Sequence, residues 1–228
     1  MKQDAQPGAR TQESQRNGEA DPVSPGAVGA PGIPDRSRGE KIDTIAHHFG
    51  KIMQALGMDL SDTSLADTPM RVARMYVNET FRGLSAKNFP RISFFEKAPG
   101  TPEMIVVNDI TLYSYCEHHF VPFFGKVHVA YIPGDRLLGL SKVNRVVDYL
   151  SRKPHLQERL TREIADTLSE LLQTRHVAVF VEAQHLCVAS RGVRDAKSIT
   201  RTGCYLGQFQ NTHTRAEFMA SLKMQGSL

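Results

Sequence analysis

The stretch YCEHHFVPFFGKVHVAYIP, residues Tyr115–Pro133, joins a cluster of reactive side chains to a regular alternation of side chains. In its second half, Val127, Val129 and Tyr131 alternate with more polar or smaller residues. Successive side chains of a β-strand point to opposite faces, so this alternation predicts a strand with one face in the core. The reactive cluster would then stand at the beginning of that strand.

Helices and strands are predicted on both sides of this stretch. Upstream, Glu103–Tyr115 is rich in β-branched residues around an Asn-Asp break, which indicates another strand. Apolar residues three and four apart predict helices. The expected helices are Ile42–Leu56, Asp67–Gly83, Ser141–Arg152, His155–Gln173 and Thr214–Leu222, and the expected later strands are His176–Ala183 and His185–Ser190. The order ααββααββ predicts an α+β fold with a mainly antiparallel sheet.

The chain divides into three parts by composition and pattern. Residues 1–40 are rich in Gly, Pro, Gln and Ser and have no apolar period. Such a segment cannot bury enough surface to offset its ordering entropy, so we expect a disordered tail. Residues 41–100 form an N-terminal helical region, and residues 101–228 form the domain that we expect to be catalytic.

The composition argues against several classes of protein. A net charge of +4 and a pI near 9.0 give too small a basic excess to indicate nucleic-acid binding, and Trp is absent. Three cysteines do not suggest a disulfide framework. No apolar run reaches the length of a membrane span, and the first residues lack the apolar segment of a secretory signal. We therefore expect a cytoplasmic protein.

Two short stretches carry residue types that bind metals. Cys116 and His119 have C-x-x-H spacing, which lets both reach one ion across a single turn if the chain leaves the strand near Cys116. In QHLCVASRG, His185 and Cys187 are two residues apart and would share one face of a strand. Zinc takes thiolate and imidazole ligands, and three protein ligands would leave the fourth position to water, as in catalytic sites.

Two other interpretations of these residues stay open at this point. A cysteine beside a histidine can be a nucleophile with its base. A lone cysteine is most often a small core residue, and we assign Cys204 in TGCYLGQF to the core for this reason.

Basic residues near these stretches indicate an anionic ligand. GLSKVNRVV starts a helix at Ser141, with Lys142 in its first turn and Arg145 one turn further on, which is typical of anion sites. Arg191 follows the second cysteine-containing stretch, and Arg71 stands at the start of the second helix. Each residue alone is typical of a solvated surface, but together they favour a polyphosphate ligand.

Five motifs follow one another along the chain: DTPMRVARMY, CEHHFVPFFGKVHVAYIP, GLSKVNRVV, QERLT and QHLCVASRGVRD. In these motifs, from about Lys41 to Leu222, the chain resembles the GTP cyclohydrolase I family. The resemblance implies the tunnelling fold, an antiparallel sheet with helices on one face and an N-terminal helical extension. It also implies a barrel ring of subunits, stacked in pairs as a decamer of two pentamers in bacterial members.

The resemblance further implies a zinc-dependent hydrolase that converts GTP and water to 7,8-dihydroneopterin triphosphate and formate, the first step of tetrahydrofolate and pterin biosynthesis. Cys116, His119 and Cys187 would bind zinc, and His118 and His185 would move protons. The substrate would be held by Glu158 and Gln157 at the guanine edge, Ser141 near the ribose, and Lys142, Arg145, Arg191 and Arg71 at the triphosphate, with Arg71 coming from another subunit.

Two alternatives come from different classes of function. A nitrile reductase of the same fold would use a cysteine nucleophile and NADPH without zinc, and the two metal-binding spacings argue against it. A non-catalytic scaffold stabilised by zinc would bind nucleotide and would not need His118 or His185. Glu158 itself is four residues from Arg162 on a predicted helix, so the two could form a surface ion pair instead of a guanine site.

Overall fold

The structure is a computed structural model that describes residues 36–98, 100 and 103–222. The predicted disordered tail lies outside these ranges except for residues 36–40. The helices are α1 (Arg38–Ala55), α2 (Thr68–Met75), α3 (Leu140–Ser151), α4 (Gln157–Leu172), α5 (Leu186–Ala189) and α6 (Thr212–Ser221). The strands are β1 (Phe94–Glu96), β2 (Ile105–Cys116), β3 (Pro122–Tyr131), β4 (Arg136–Leu138), β5 (Pro154–His155), β6 (Val177–His185) and β7 (Thr200–Tyr205).

Five strands form the main sheet, in the order β5-β2-β3-β6-β7. All neighbours in it are antiparallel except β5 and β2, and β1 pairs with β4 in a separate antiparallel ribbon. The α+β class and the mainly antiparallel sheet are therefore confirmed. Within the described residues, no helix is both long and apolar enough to cross a membrane.

A β-bulge in β2 decides which side chains of this strand face the core. The pairing with β3 shifts between Val107 and Ile110, at the Asn-Asp break, where Asp109 has a φ of 55°. Before the bulge, Ile105 and Val107 pack against the main core, and after it Ile110 and Leu112 do. Because a bulge adds one residue to the strand, it exchanges the two faces and so sets the face taken by the last residue of β2.

The main core lies between one face of the sheet and helices α3 and α4. Leu160, Ile164 and Leu168 of α4 are fully buried, at the four-residue spacing that aligns one helix face. The prediction of helices on one face is right for these two helices but incomplete. Phe209 and Phe218, the latter in α6, are also fully buried and pack on the opposite face, against Ala130 and Ala178. The side chains of Ala130 and Ala178 are small and leave room for these rings.

The prediction that residues 185–190 continue the sheet is wrong. β6 ends at His185, and the chain then turns into α5, where the backbone N–H and the hydroxyl of Ser190 both donate to the carbonyl oxygen of Leu186. A serine that satisfies a helical carbonyl in this way stabilises a turn rather than a strand. The fifth strand is instead β7, which begins at Thr200 after an exposed loop.

The second helix, predicted to end at Gly83, is helical over most of this range but changes its hydrogen-bonding pattern. α2 ends at Met75 and is followed by a π-helical turn, Tyr76–Thr80, and a 3₁₀ turn, Arg82–Leu84. The N–H of Gly83 donates to the carbonyl oxygen of Arg152, and a Cβ on this glycine would stand 2.3 Å from the carbonyl oxygen of Tyr149. The helix breaks because the chain must pack closely against the end of α3.

Candidate active site

The turn between β2 and β3 holds the first half of the candidate metal site. β2 ends at Cys116, whose N–H donates to the carbonyl oxygen of Val121 at 2.9 Å. The N–H of Phe120, which has a φ of 53°, donates back to the carbonyl oxygen of Cys116 at 2.9 Å. This tight turn leaves the Cys116 side chain 6% exposed and His119 at the surface.

The end of β6 brings the second half of the site to the same turn. His185 pairs in register with Phe123 at the beginning of β3, so the chain enters α5 beside the β2–β3 turn. The candidate ligand atoms of Cys116, His119 and Cys187 all lie within 4.8 Å of one another. The Sγ of Cys116 and the Nδ1 of His119 are 3.7 Å apart.

This donor set and spacing fit a zinc ion. With ordinary zinc–sulfur and zinc–nitrogen bonds at a tetrahedral angle, sulfur and nitrogen ligands are about 3.6 Å apart, close to the separation of Cys116 and His119. Two sulfur donors and one imidazole are also ligands that zinc prefers. Among the described residues, Cys116, His119 and Cys187 are the group of Cys, His or acidic side chains whose ligand atoms lie close enough together to hold one ion.

The two thiols influence each other. Burial raises the pKa of the Cys187 thiol, and its hydrogen bond to Cys116 and the charge of that neighbour raise it further. Two thiols side by side disfavour two thiolates, because like charges repel in a partly desolvated site. A cation between them would reverse this effect and stabilise both thiolates.

His118 lies next to the ligand group but is not part of it. Its side chain is 62% exposed, with Nδ1 3.9 Å from the Sγ of Cys116 and Nε2 4.0 Å from Oε1 of Glu117. The other carboxylate oxygen of Glu117 accepts a hydrogen bond from Arg159 at 2.9 Å. His118 therefore keeps an imidazole at the rim of the site, free to meet solvent or a ligand.

His185 is held more tightly than His118. Its ring stacks on Phe123 with the centroids 4.6 Å apart and the planes 10° from parallel. Its Nε2 lies 2.7 Å from Oε1 of Gln157. Burial lowers the pKa of His185, an effect that the charge of Glu158 partly offsets, so the imidazole tends toward its neutral form.

The first turn of α4 lies near the candidate metal ligands because it directly follows β5. β5 runs parallel to β2 and pairs His155 with Cys116, and α4 begins two residues later at Gln157. Glu158 follows at the surface. Arg162 donates to both carboxylate oxygens of Asp166, at 2.8–2.9 Å, rather than pairing with Glu158.

Three of the predicted phosphate-binding residues lie at the opposite end of α3 from the candidate metal ligands. Ser141, Lys142 and Arg145 are in the first turns of α3, whose start is tied to the β1–β4 ribbon by the N–H of Gly139. The last turn of α3 leads into β5, which pairs with Cys116 at the metal-ligand end of the sheet. Because a helix rises about 1.5 Å per residue, about 15 Å of α3 separates Ser141 from that end. Arg71 is exposed and paired with Asp67. Arg191 lies in the exposed loop after α5, close enough to Cys187 for its charge to act on that thiol.

Sequence reasoning missed three residues that hold the site together. Phe123 supports the ring of His185, and Thr161 and Thr202 form hydrogen bonds with Gln157. The alternation of threonines in β7 was a usable signal, because Thr200 and Thr202 share a strand face with the partly buried Cys204. The partial burial of Cys204 against the core agrees with its predicted place.

Two cavities lie away from these residues. One, of about 520 Å³, runs along the outer side of α4, and the other, of about 940 Å³, lies between α1 and the segment after α2. None of the candidate ligands or substrate-binding residues lines either cavity.

The comparisons with known proteins agree with these motifs. Residues 45–223 match the family model described as GTP cyclohydrolase I. A GTP cyclohydrolase 1 from Yersinia enterocolitica is 50% identical over 183 residues, covering 80% of this chain and 83% of the relative. One from Erwinia tasmaniensis is 51% identical over 180 residues, covering 78% and 81%.

Two further matches are another bacterial relative and a solved structure of low sequence identity. A GTP cyclohydrolase 1 from Serratia proteamaculans is 48% identical over 199 residues, covering 84% of this chain and 90% of the relative. The solved apo structure of the archaeosine synthase QueF-Like matches at 17% identity and a TM-score of 0.38, over 47% of this chain and 96% of that one. By the family model and the relatives near 50% identity, the chain belongs to the GTP cyclohydrolase I family.

Proposed function

We propose that this chain binds zinc through Cys116, His119 and Cys187 and uses it to convert GTP and water to 7,8-dihydroneopterin triphosphate and formate. The observation that carries the proposal is the convergence of these three ligand atoms within 4.8 Å. His118 lies beside Cys116, and His185 is two residues before Cys187. Zinc, when bound, would lower the pKa of a coordinated water to about 7 and so supply a nucleophile at neutral pH.

The neighbouring histidines move protons in this proposal. Carbon 8 of guanine lies between two nitrogens and becomes electrophilic when N7 is protonated. An imidazole titrates near neutrality, so it can give this proton and take one back during ring opening. His118, at the exposed rim, can exchange protons with solvent, whereas His185 is held at a fixed angle by Phe123 and Gln157.

Glu158 selects the base. Guanine offers two donors side by side, N1–H and the exocyclic N2 amine, and an ionised carboxylate offers two acceptors at a matching separation. Adenine has an acceptor at N1 and no amine at carbon 2, so its edge would leave the carboxylate without partners. Glu158 is exposed in the first turn of α4, one residue after Gln157, and this position supports the proposed role.

The site is completed by other subunits. Ser141, Lys142 and Arg145 lie at the far end of α3 from the ligand group, so in one chain they are remote from a triphosphate whose base is held by Glu158. We place them, together with Arg191 and Arg71, around the substrate at interfaces of a homo-oligomer. The proposed assembly is the tunnelling-fold barrel ring, stacked as a decamer of two pentamers and able to respond allosterically.

The place of the reaction follows from its product. A dihydropterin triphosphate is the first committed intermediate for tetrahydrofolate and other pterins, which links the proposed enzyme to one-carbon metabolism. We propose that it acts in the cytoplasm, on GTP as its substrate, without nucleic acid or a membrane as a partner.

The experiment that tests the proposal measures product and metal together. The zinc-loaded protein is incubated with GTP or with ATP, oxidised with acidic iodine, and examined for pterin fluorescence and formate. We expect product from GTP alone. Hydrogen bonds left unmade in a polar pocket can discriminate by about 10⁴–10⁵-fold, so Glu158→Ala should abolish turnover and keep zinc, whereas Glu170→Ala, at the exposed far end of α4, should change neither.

Two outcomes would contradict the proposal. A protein that binds zinc and GTP but forms neither pterin nor formate would be the non-catalytic scaffold. A Glu158→Ala protein that turns over GTP normally would remove Glu158 from the site and leave guanine recognition to other residues.

A further inference from the structure

The side-chain amide of Gln157 has one possible orientation. Gln157 is 2% exposed, and one end of its amide lies 3.3 Å from the carbonyl oxygen of Val181 and 3.1 Å from that of Thr200. Carbonyl oxygens can only accept hydrogen bonds, so this end must be the NH₂ group. The amide oxygen therefore faces His185, whose Nε2 lies 2.7 Å away.

Two threonine hydroxyls give the network a single direction. The hydroxyl of Thr161 donates to the main-chain carbonyl oxygen of Gln157 at 2.8 Å, which uses its only proton. The 2.6 Å contact between Thr161 and Thr202 must then be a donation from Thr202. The oxygen of Thr202 remains an acceptor for the amide NH₂ of Gln157, 3.1 Å away.

An amide oxygen beside an imidazole nitrogen requires a proton on that nitrogen. We propose that Gln157, whose amide is oriented by the carbonyl oxygens of Val181 and Thr200 with the help of Thr202, holds His185 in the tautomer that carries its proton on Nε2. Nδ1 is then the ring nitrogen without a proton. The stacking of the ring on Phe123, with the planes 10° from parallel, fixes the remaining rotation of the imidazole.

This inference rests on the proposed role of His185 and changes the role of Gln157. The amide NH₂ of Gln157 is engaged by three acceptors, its oxygen by His185, and only 2% of the residue is exposed. Little of it is left to meet a guanine edge. Gln157, Thr161 and Thr202 are positioning residues that act on the substrate through His185.

The tautomer can be observed directly by ¹⁵N NMR of the zinc-loaded protein labelled at its histidine ring nitrogens. The signals of His185 are assigned by their loss in His185→Asn, at a pH where the ring is neutral. We expect a protonated Nε2 and an unprotonated Nδ1. Gln157→Leu, which removes the acceptor from Nε2, should shift the signals toward a mixture of tautomers, and Gln157→Glu, which keeps an acceptor oxygen, should keep the proton on Nε2. A parent protein with the proton on Nδ1 would overturn the proposal.

Kinetics then separate positioning from substrate binding. Partners that orient a functional imidazole are worth about 10- to 100-fold in activity, so Gln157→Leu should lower kcat by that factor and leave KM for GTP unchanged. Thr167→Val, at a buried threonine of α4 outside this network, should match the parent protein.

The opposite kinetic result would overturn the proposal. A raised KM for GTP with an unchanged kcat and an unchanged tautomer in Gln157→Leu would mean that Gln157 holds guanine. If the parent protein formed no pterin, the proposed function would fail, but the NMR result would still decide the tautomer. The same holds if Gln157→Leu does not fold, because the parent protein alone carries that measurement.

Discussion

The two ends of the main core differ in how much of the proposed site one chain builds. At the end where β2 and β6 finish, Cys116 and Gln157 are buried, and hydrogen bonds and ring stacking hold His185. At the end where α3 begins, Ser141 and Arg145 are exposed side chains on the first turns of a helix. We call these the built end and the open end.

This difference agrees with what each kind of chemistry requires. Metal ligands and proton-transfer groups must be placed to within a fraction of an ångström, so they need supporting contacts within one rigid unit. Anion-binding lysines and arginines act mainly through their charge and can be supplied from a neighbouring surface. The comparison therefore predicts that changes at the built end remove chemistry, while changes at the open end weaken substrate binding.

The largest effect is expected from a ligand of the built end. Cys187→Ser removes one of three thiolate and imidazole ligands, and the hydroxyl of serine is a much poorer ligand for zinc. We expect loss of zinc by elemental analysis together with loss of GTP turnover to below detection. Cys204→Ser, in β7 and outside the ligand group, should keep both. Full zinc occupancy in Cys187→Ser would contradict the proposed metal site.

The adjacent histidines should separate metal binding from proton transfer. His119→Ala should lose zinc, because its Nδ1 lies 3.7 Å from the Cys116 sulfur and belongs to the ligand group. His118→Ala should keep zinc and lose a factor of about 10²–10⁴ in kcat, the usual worth of a general acid–base group. Zinc analysis and single-turnover rates check both, and the reverse pattern would exchange the two roles.

A smaller effect is expected at the open end. Arg145→Ala removes a charged hydrogen-bond donor worth about 1.5–3 kcal/mol, so KM for GTP should rise by about 10- to 100-fold with zinc retained. If the open end serves the built end of another subunit, mixed oligomers of Arg145→Ala and His185→Ala should contain some intact sites. Activity above that of either variant supports sharing. No gain, with mixing verified by native mass spectrometry, would place both residues in one chain's site.

Sequence patterns predicted the helix, the strand and the metal-binding spacing of the built end better than the contacts that hold them in place. The period of two in Lys126–Ile132 and the four-residue spacing in α4 depend only on neighbouring residues, so they identified a strand and a helix correctly. The C-x-x-H spacing likewise depends on a single turn. These features are local, and a sequence displays them directly.

The missed elements depend on contacts that are distant in sequence. β7 is a short edge strand that forms by pairing with β6, and a helical turn at α5 is stabilised by Ser190 rather than by an apolar period. Gln157 and Thr202 are 45 residues apart and meet only after α4 packs on the sheet. No spacing rule relates such positions, so their hydrogen bonds become visible only in the folded chain.

The built end also contains a buried histidine that has no place in the proposed chemistry. His155 in β5 is 4% exposed, and its Nε2 lies 3.0 Å from the carbonyl oxygen of Leu150. Burial, and then the charge of Lys153, lower the pKa of His155 to about 4. The unfolded chain would bind this proton near pH 6.5, so folding stability should fall as the pH decreases from about 6.5 to about 4 and then become level.

The last prediction isolates this contribution with His155→Gln, whose amide can still donate to Leu150. At pH 5 the histidine should cost about 2 kcal/mol of unfolding free energy relative to neutral pH, and the variant should lose that much less than the parent protein. Urea unfolding at matched protein concentration, at pH 7.5 and pH 5, measures the difference. The exposed His213→Gln should behave like the parent protein. Equal pH dependence in His155→Gln and the parent would show that protonation of His155 does not weaken the built end. Unchanged GTP turnover of His155→Gln at pH 7.5 would show that His155 acts on stability and not on the chemistry of its neighbours.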